Sequence, residues 1–300
     1  MSHRFMIDLD ALTALCAVDR HGSVIAAADA LGFTPSAISQ QVKRLERQTN
    51  VALLERVGRG VMLTWEGRHL VETGSRLLSD LEGIESELHE QAATVSGHVR
   101  VVAFSTAMRG LVAPRVRDLR LAHPLLTLSL TEREPWDSID VVADGQADVG
   151  VAHSWGDLPL TIPDHLDTTT LAEDVADVVV HVSHPLAARE RVTPDDLVEH
   201  GWIATPEGTI CREWLSRMYQ GTGRQPQIAH VSMEFQSHLA LVRAGLGIAL
   251  VPRLGREDLT EDLVALAAHD PVPTRAIVAV HRRSMAKSPA VRAVVAALRD

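Results

Sequence analysis

Thr34, Ser36, Ser39, Gln40, Lys43 and Arg44 crowd into one short stretch of a 300-residue chain. Short hydroxyls, one amide and two cations form the set that reads a DNA groove: amides and hydroxyls meet base edges, and cations meet phosphates. Such residues act together only when an element points them the same way. Ile38, Val42 and Leu45 recur at helical spacing among them, so the polar set covers the other faces of one helix, with Arg47 added at its far end. Thr34 stands where it can cap that helix, and Pro35 is preset for its first turn. Upstream, Ser23 to Leu31 reads as a short alanine-rich helix, with Ala27 and Ala28 small enough for close crossing. Gly32 sits where the turn between two steeply crossed helices needs positive φ. The pattern predicts a helix-turn-helix.

Leu53 to Arg56 and Val61 to Thr64 read as two short strands around Val57, Gly58, Arg59 and Gly60, a hairpin that would present Arg59 to phosphate or a minor groove. Between Thr34 and Thr64 five cations (Lys43, Arg44, Arg47, Arg56, Arg59) face two acids (Glu46, Glu55), although the whole chain carries a formal charge of -10. A basic field this local is compatible with nucleic acid whatever the overall charge. From Glu66 to about Ala93 no proline interrupts the chain. Leu70, Gly74, Leu77, Leu81, Ile84 and Leu88 recur there in a 4-3 rhythm. The period suits a coiled-coil seam, and it also suits a helix laid along its own domain.

The rest of the chain must form a second, larger domain. Hydrophobic residues make up 46% and charged residues 23%, as in ordinary globular proteins. Cys16 and Cys211 are the only cysteines and lie far apart, which excludes a disulfide framework and a CxxC metal site. Met1 to Asp8 has no apolar signal core and no apolar run is long enough to span a membrane, so a cytoplasmic protein is expected. Fifteen histidines are scattered without metal spacing, and the chain lacks GxSxG, GxxxxGK[ST] and HExxH; no enzyme activity, cofactor or metal is expected. Beyond Gly97, strands at His98–Phe104, Leu126–Thr131 and Asp148–Ala152 alternate with helices at Gly110–Leu121 and around Ile139–Ala143. That βαβαβ order predicts a mainly parallel sheet with a ligand site beyond its strand ends. Thr168–Leu171 and Ala176–Val182 read as two strands opening a second unit. Trp202–Ala204, a helix after Thr209, the helix Phe235–Ala244 and the strand Ile248–Val251 continue it, and Arg275–Val280 with Ala290–Leu298 return to the first.

The segment from Ser23 to Gly67, with DALGFTPSAISQQVKRLE followed by LLER, VGRG and VMLTWEG, resembles the winged helix-turn-helix of LysR-type transcriptional regulators. LALVRAGLGIALVPR, from Leu239 to Arg253, is similar to part of that family's effector domain. The resemblance implies a sequence-specific regulator in three parts: a winged helix-turn-helix over 1–65, a linker and dimerisation helix over 66–94, and an effector domain over 95–300. The last would be a two-lobed α/β domain of periplasmic-binding-protein type, with lobe I at about 95–170 and 273–300 and lobe II at about 171–272. Carried over position by position, Thr34, Ser36, Ser39, Gln40, Lys43 and Arg44 would contact DNA. Pro35 departs from the pattern, since many members carry a base-reading polar residue there. The linker stripe Leu77, Leu81, Ile84 and Leu88 would hold a homodimer, which the family extends to a homotetramer. Operator DNA, a small-molecule effector and RNA polymerase are the partners so implied, and no membrane.

Within that architecture Ser105, Thr106, Arg133, Trp136, His153 and Trp155 on lobe I, and Glu207, Thr209 and Phe235 on lobe II, are the candidate effector ligands. Hydroxyls and N–H groups at helix starts suit an anion and the tryptophans suit an apolar body. Glu132 and Glu134 oppose a simple anion, Trp136 and Trp155 fit core or lobe packing equally well, and His153 fits a satisfied structural histidine better than a ligand. Cys211 stands near a helix start beside Arg212, a setting that favours a thiolate and hence redox sensing, but no resolving cysteine is near in sequence, which favours instead a buried or semi-buried thiol. A ligand-binding or catalytic α/β protein merely oligomerised by its N-terminal helices is the other alternative.

Overall fold

The computed structural model describes residues 7–58, 60–91, 94–156 and 158–299. It divides into two compact units, the first running to Thr94 with short pieces at Asp144–Gln146 and Ser284–Pro289, the second holding the remainder.

In the first unit, helices α1 (Leu9–His21), α2 (Val24–Leu31) and α3 (Pro35–Thr49) precede a hairpin of strands β1 (Leu54–Val57) and β2 (Gly60–Leu63) and a long helix α4 (Trp65–Gln91). Each start is capped by a side chain placed for it: Asp8 accepts from the Ala11 N–H, Ser23 from Ala26 and Thr34 from Ala37. Gly32 ends α2 at φ 70° and the Phe33 N–H returns to the Ala28 carbonyl, the turn expected from the sequence. Leu12, Leu15, Ala27, Ala28, Ile38, Val42, Leu45 and Leu53 form the buried core. The Glu46 carboxylate, counted in the sequence only as an acid, accepts from the Leu53 and Leu54 N–H groups at 2.9 and 3.3 Å and so ties the hairpin to α3. Thr64 donates to the Ala52 carbonyl and accepts from the Gly67 N–H, which sets the start of α4.

In its first half the linker helix lies along its own domain. Leu70, Val71 and Leu78 pack on the core, and a Cβ at Gly74 would lie 2.5 Å from a Leu12 methyl, so Gly74 admits α1 rather than a partner chain. Further along, Leu77, Ile84 and Leu88 are 45%, 54% and 60% exposed, and Leu81 is half-buried.

The second unit opens with β3 (Gly97–Ala103), the short helix α5 (Ser105–Ala107), a π turn at Met108–Val112 and α6 (Ala113–Ala122). β4 (Leu126–Glu132), α7 (Pro135–Ala143) and β5 (Val149–Trp155) complete the βαβαβ unit, with β3 parallel to both neighbours. Helical backbone therefore begins at Ser105, not at Gly110. Gly110 lies inside the π turn, where a Cβ would meet the Gly255 backbone N at 2.4 Å.

The sequence suggested two strands over 168–182; the structure has one, β6 (Leu166–His181). Leu166 to Val175 pairs with the returning strand, and Ala176 to His181 pairs with strands of the other lobe, so one strand crosses the whole domain. β7 (Arg191–Val192), β8 (Gly201–Ala204), α8 (Ile210–Met218), β9 (Gln227–Val231), α9 (Phe235–Arg243), β10 (Ile248–Pro252) and β11 (Leu263–Ala268) build the second lobe. β12 (Thr274–Arg282) and α10 (Pro289–Arg299) close the first. The ten strands are mixed rather than mainly parallel, since β6 and β12 run antiparallel to their neighbours. Each lobe keeps its own parallel core, β4-β3-β5 in one and β10-β8-β9 in the other.

Candidate functional site

On α3 the buried stripe Ile38, Val42 and Leu45 turns Ser36, Gln40, Lys43, Arg44 and Arg47 outward, with Thr34 exposed at the cap and Ser39 half-buried. Gln40 and Lys43 line an open groove of about 730 Å³ that continues past Arg47 to Asn50 and Val51. Besides Thr34, whose hydroxyl caps the helix, two candidates are already engaged. The Ser39 hydroxyl donates to the Pro35 carbonyl at 2.9 Å, and Arg44 pairs with Asp8 at 2.5 Å. The Asp8 carboxyl lies below its ordinary range, first because it accepts the Ala11 N–H and then because of Arg44. Arg59 lies outside the described residues; the hairpin that would carry it is formed, with Val57 opposite Gly60 and Gly58 at φ 60°.

In the second unit the two lobes meet around Arg275, a residue the sequence did not single out. Its guanidinium is buried, pairs with Asp174 at 2.7 Å, donates to the Thr106 hydroxyl at 2.8 Å, and lies over the rings of Phe104 and Trp155. Asp174 also accepts from the Val175 and Leu254 N–H groups, while Asp177 holds Arg253 and Arg256. These two acids of β6 fasten the 253–256 loop at the lobe crossing. There Gly255 packs so closely that a Cβ would stand 2.4 Å from the Thr106 carbonyl. Thr106 is thus part of this knot rather than an open hydroxyl.

His153 is 2% exposed, edge-on to Phe104, and burial together with the nearby Arg275 charge holds its pKa well below the usual histidine value. Trp155 is buried and stacks on Trp214, and both belong to the second-lobe core. Trp155 and Phe235 come together with Ile203, Ala204, Thr205, Cys211, Leu215, His238 and Leu250 around a cavity of about 20 Å³. Thr209 borders this region: it caps α8 through the Arg212 N–H and bonds the Thr205 hydroxyl at 2.7 Å. Ser105 is half-buried, whereas Arg133, Trp136 and Glu207 are exposed and line no part of the cavity. Thr205 and His238 were missed because no local pattern marks them; the fold brings them together from β8 and α9. At the rim the Glu134 carboxyl is pushed above its ordinary range by burial, and then by the charges of Asp137, Glu132 and Glu234.

Of the two readings of Cys211, the structure has the buried thiol rather than the activated one. Burial pushes its thiol up to about 11, which outweighs the opposing influence of Arg275 and the adjacent Trp155 indole. A protonated thiol is a poor nucleophile. Among the described residues no group of three or more His, Cys, Asp or Glu side chains could hold a metal, and no helix is long and apolar enough to cross a membrane.

Residues 9–68 match the family model of the bacterial regulatory helix-turn-helix protein, lysR family, and residues 92–300 match that of the LysR substrate binding domain. A probable RuBisCO transcriptional regulator of Cyanophora paradoxa is 30% identical over 251 residues, covering 81% of this chain and 75% of its own. The probable HTH-type transcriptional regulator LrrA of Synechococcus elongatus is 28% identical over 298 residues, 98% of this chain and 97% of its own. Among solved structures, a full-length OxyR variant from Pseudomonas aeruginosa has a TM-score of 0.71 at 20% identity, covering 98% of this chain and 95% of that one. At that identity the likeness concerns the fold alone. The two family models together span nearly the whole described chain, in the order of its two units, and the chain belongs to the LysR family of transcriptional regulators.

Proposed function

We propose that α3 reads operator DNA in the major groove and that the second unit sets the response by holding a small molecule where its lobes meet. The observation that carries the DNA reading is the outward face of α3. Ser36 and Gln40 offer base-edge partners, and Lys43 and Arg47 offer phosphate partners, on a helix whose start is capped and whose back is fully packed. Arg44 exchanges Asp8 for phosphate on binding, and Arg59 follows the backbone from the hairpin. Domain limits near residues 65 and 94 fit the start of α4 and the approach to β3.

The exposed Leu77, Ile84 and Leu88, with Leu81 beside them, are the surface through which two chains pair and present two recognition helices to a palindrome. Assembly into a tetramer, a contact with RNA polymerase, cytoplasmic residence and the absence of catalysis complete this reading. The effector enters beside Thr209, Phe235 and Ser105, and changes lobe closure through its different affinity for two states. Gel shifts on DNA upstream of the gene and its neighbours test the proposal. Gln40→Ala should relax base preference at a few positions, by about 1–3 kcal/mol for a well-made bidentate contact. Retention of full specificity by that variant would move the reading surface elsewhere.

A further inference from the structure

The lobe junction carries a surplus of acceptors. Glu134, between β4 and α7, is half-buried, and its carboxylate meets no donor among the described residues. Glu234, at the start of α9 on the opposite lobe and making no side-chain cap bond there, is close enough to repel it, and its own pairing with Arg109 is long, at 3.9 Å. Beyond the effect of burial, Glu134 is near enough to Cys211 to raise its thiol pKa, and Cys211 lines a cavity with Thr205, Phe235 and His238. His238 is 1% exposed; its Nε2 donates to the Ser232 carbonyl at 2.9 Å, and its Nδ1 has no partner among the described residues. Since a carbonyl only accepts, Nε2 carries the proton. Nδ1 of the neutral ring is then a buried lone pair that only a donor can satisfy. The cation nearest this wall, Arg275, is committed to Asp174 and Thr106. Arg212 turns to the Thr205 carbonyl, and Arg133 stands exposed at the rim.

Resting on the effector reading above, we propose that this junction selects a metabolite bearing a primary ammonium group, met by Glu134 with Glu234 and aimed at the His238 Nδ1 lone pair. The cavity of about 20 Å³ has room for one water-sized group, which is the size of an ammonium head. An ammonium supplies the charge that Glu134, and the loosely paired Glu234 beside it, can still take, and carries three donors. A carboxylate supplies neither, and it would add a lone pair beside His238.

Calorimetric titration of the full chain with butylamine and putrescine, against butyrate and succinate as size-matched acids, tests this. The amines should bind wild type. Glu134→Gln should weaken them about tenfold or more, with Glu134→Asp recovering part of the loss and unfolding midpoints unchanged. Amine binding that is indifferent to Glu134→Gln overturns the assignment. Binding of the acids alone, abolished by Phe235→Ala, overturns it while leaving the effector site standing. Binding of neither series overturns both.

Discussion

Arg275 shows how much of this domain rests on one buried charge. Its guanidinium has left water entirely, and its stability depends on Asp174, Thr106 and two aromatic faces. Removing one member of such a pair strands the other, so Arg275→Leu should destabilise the protein by about 3–5 kcal/mol in denaturant titrations. Adding Asp174→Asn should restore part of that loss, because the stranded charge goes with it. His153 and His238 give a pH signature. Burial lowers both pKa values relative to an ordinary 6.5, so the unfolded chain binds protons that the folded chain refuses. Their contribution is complete above about pH 6.5 and is lost as the pH falls toward the depressed folded values. The melting temperature should therefore decline from about pH 6.5 downward, and His153→Phe should flatten that decline. Neither Arg275 nor His238 was legible in the sequence as a site residue: the partners of Arg275, Asp174 and Thr106, lie more than a hundred residues away, and the cavity beside His238 is completed by residues of other elements.

At the scale of elements, the helix-turn-helix was readable because every signal in it is local: Thr34 caps, Gly32 turns, and Ile38, Val42 and Leu45 pack one face. β6 was not. Glu173, Asp174 and Asp177 interrupt its apolar run and look like a surface break, yet Asp174 and Asp177 are buried and paired with arginines. Gly110 misled in the same way: it looks like a helix start, and its real constraint is the Gly255 backbone from the other lobe. The linker stripe was readable as a period, but not that its first half is spent on the core of its own domain. Gly74→Val should press on Leu12 and cost about 1–3 kcal/mol of stability in the DNA-binding unit, leaving assembly unchanged. Leu81→Glu with Ile84→Lys should do the reverse: the mass seen by sedimentation should fall while the melting of that unit stays the same. An unchanged mass would place the dimer contact elsewhere.

For the whole molecule, a formal charge of -10 and a basic recognition surface have different consequences. The net charge repels DNA at long range, so productive binding depends on the few cations of α3 and the hairpin, and its salt dependence should be set by them alone. The most direct test is fluorescence anisotropy on a fragment from upstream of the gene, measured from low to high salt with wild type and a Lys43→Ala, Arg47→Ala double variant. The predicted result is weaker binding by the variant to specific and unrelated DNA alike, with a salt slope shallower by about two. An unchanged affinity and slope would contradict the assignment of α3 as the DNA-reading face.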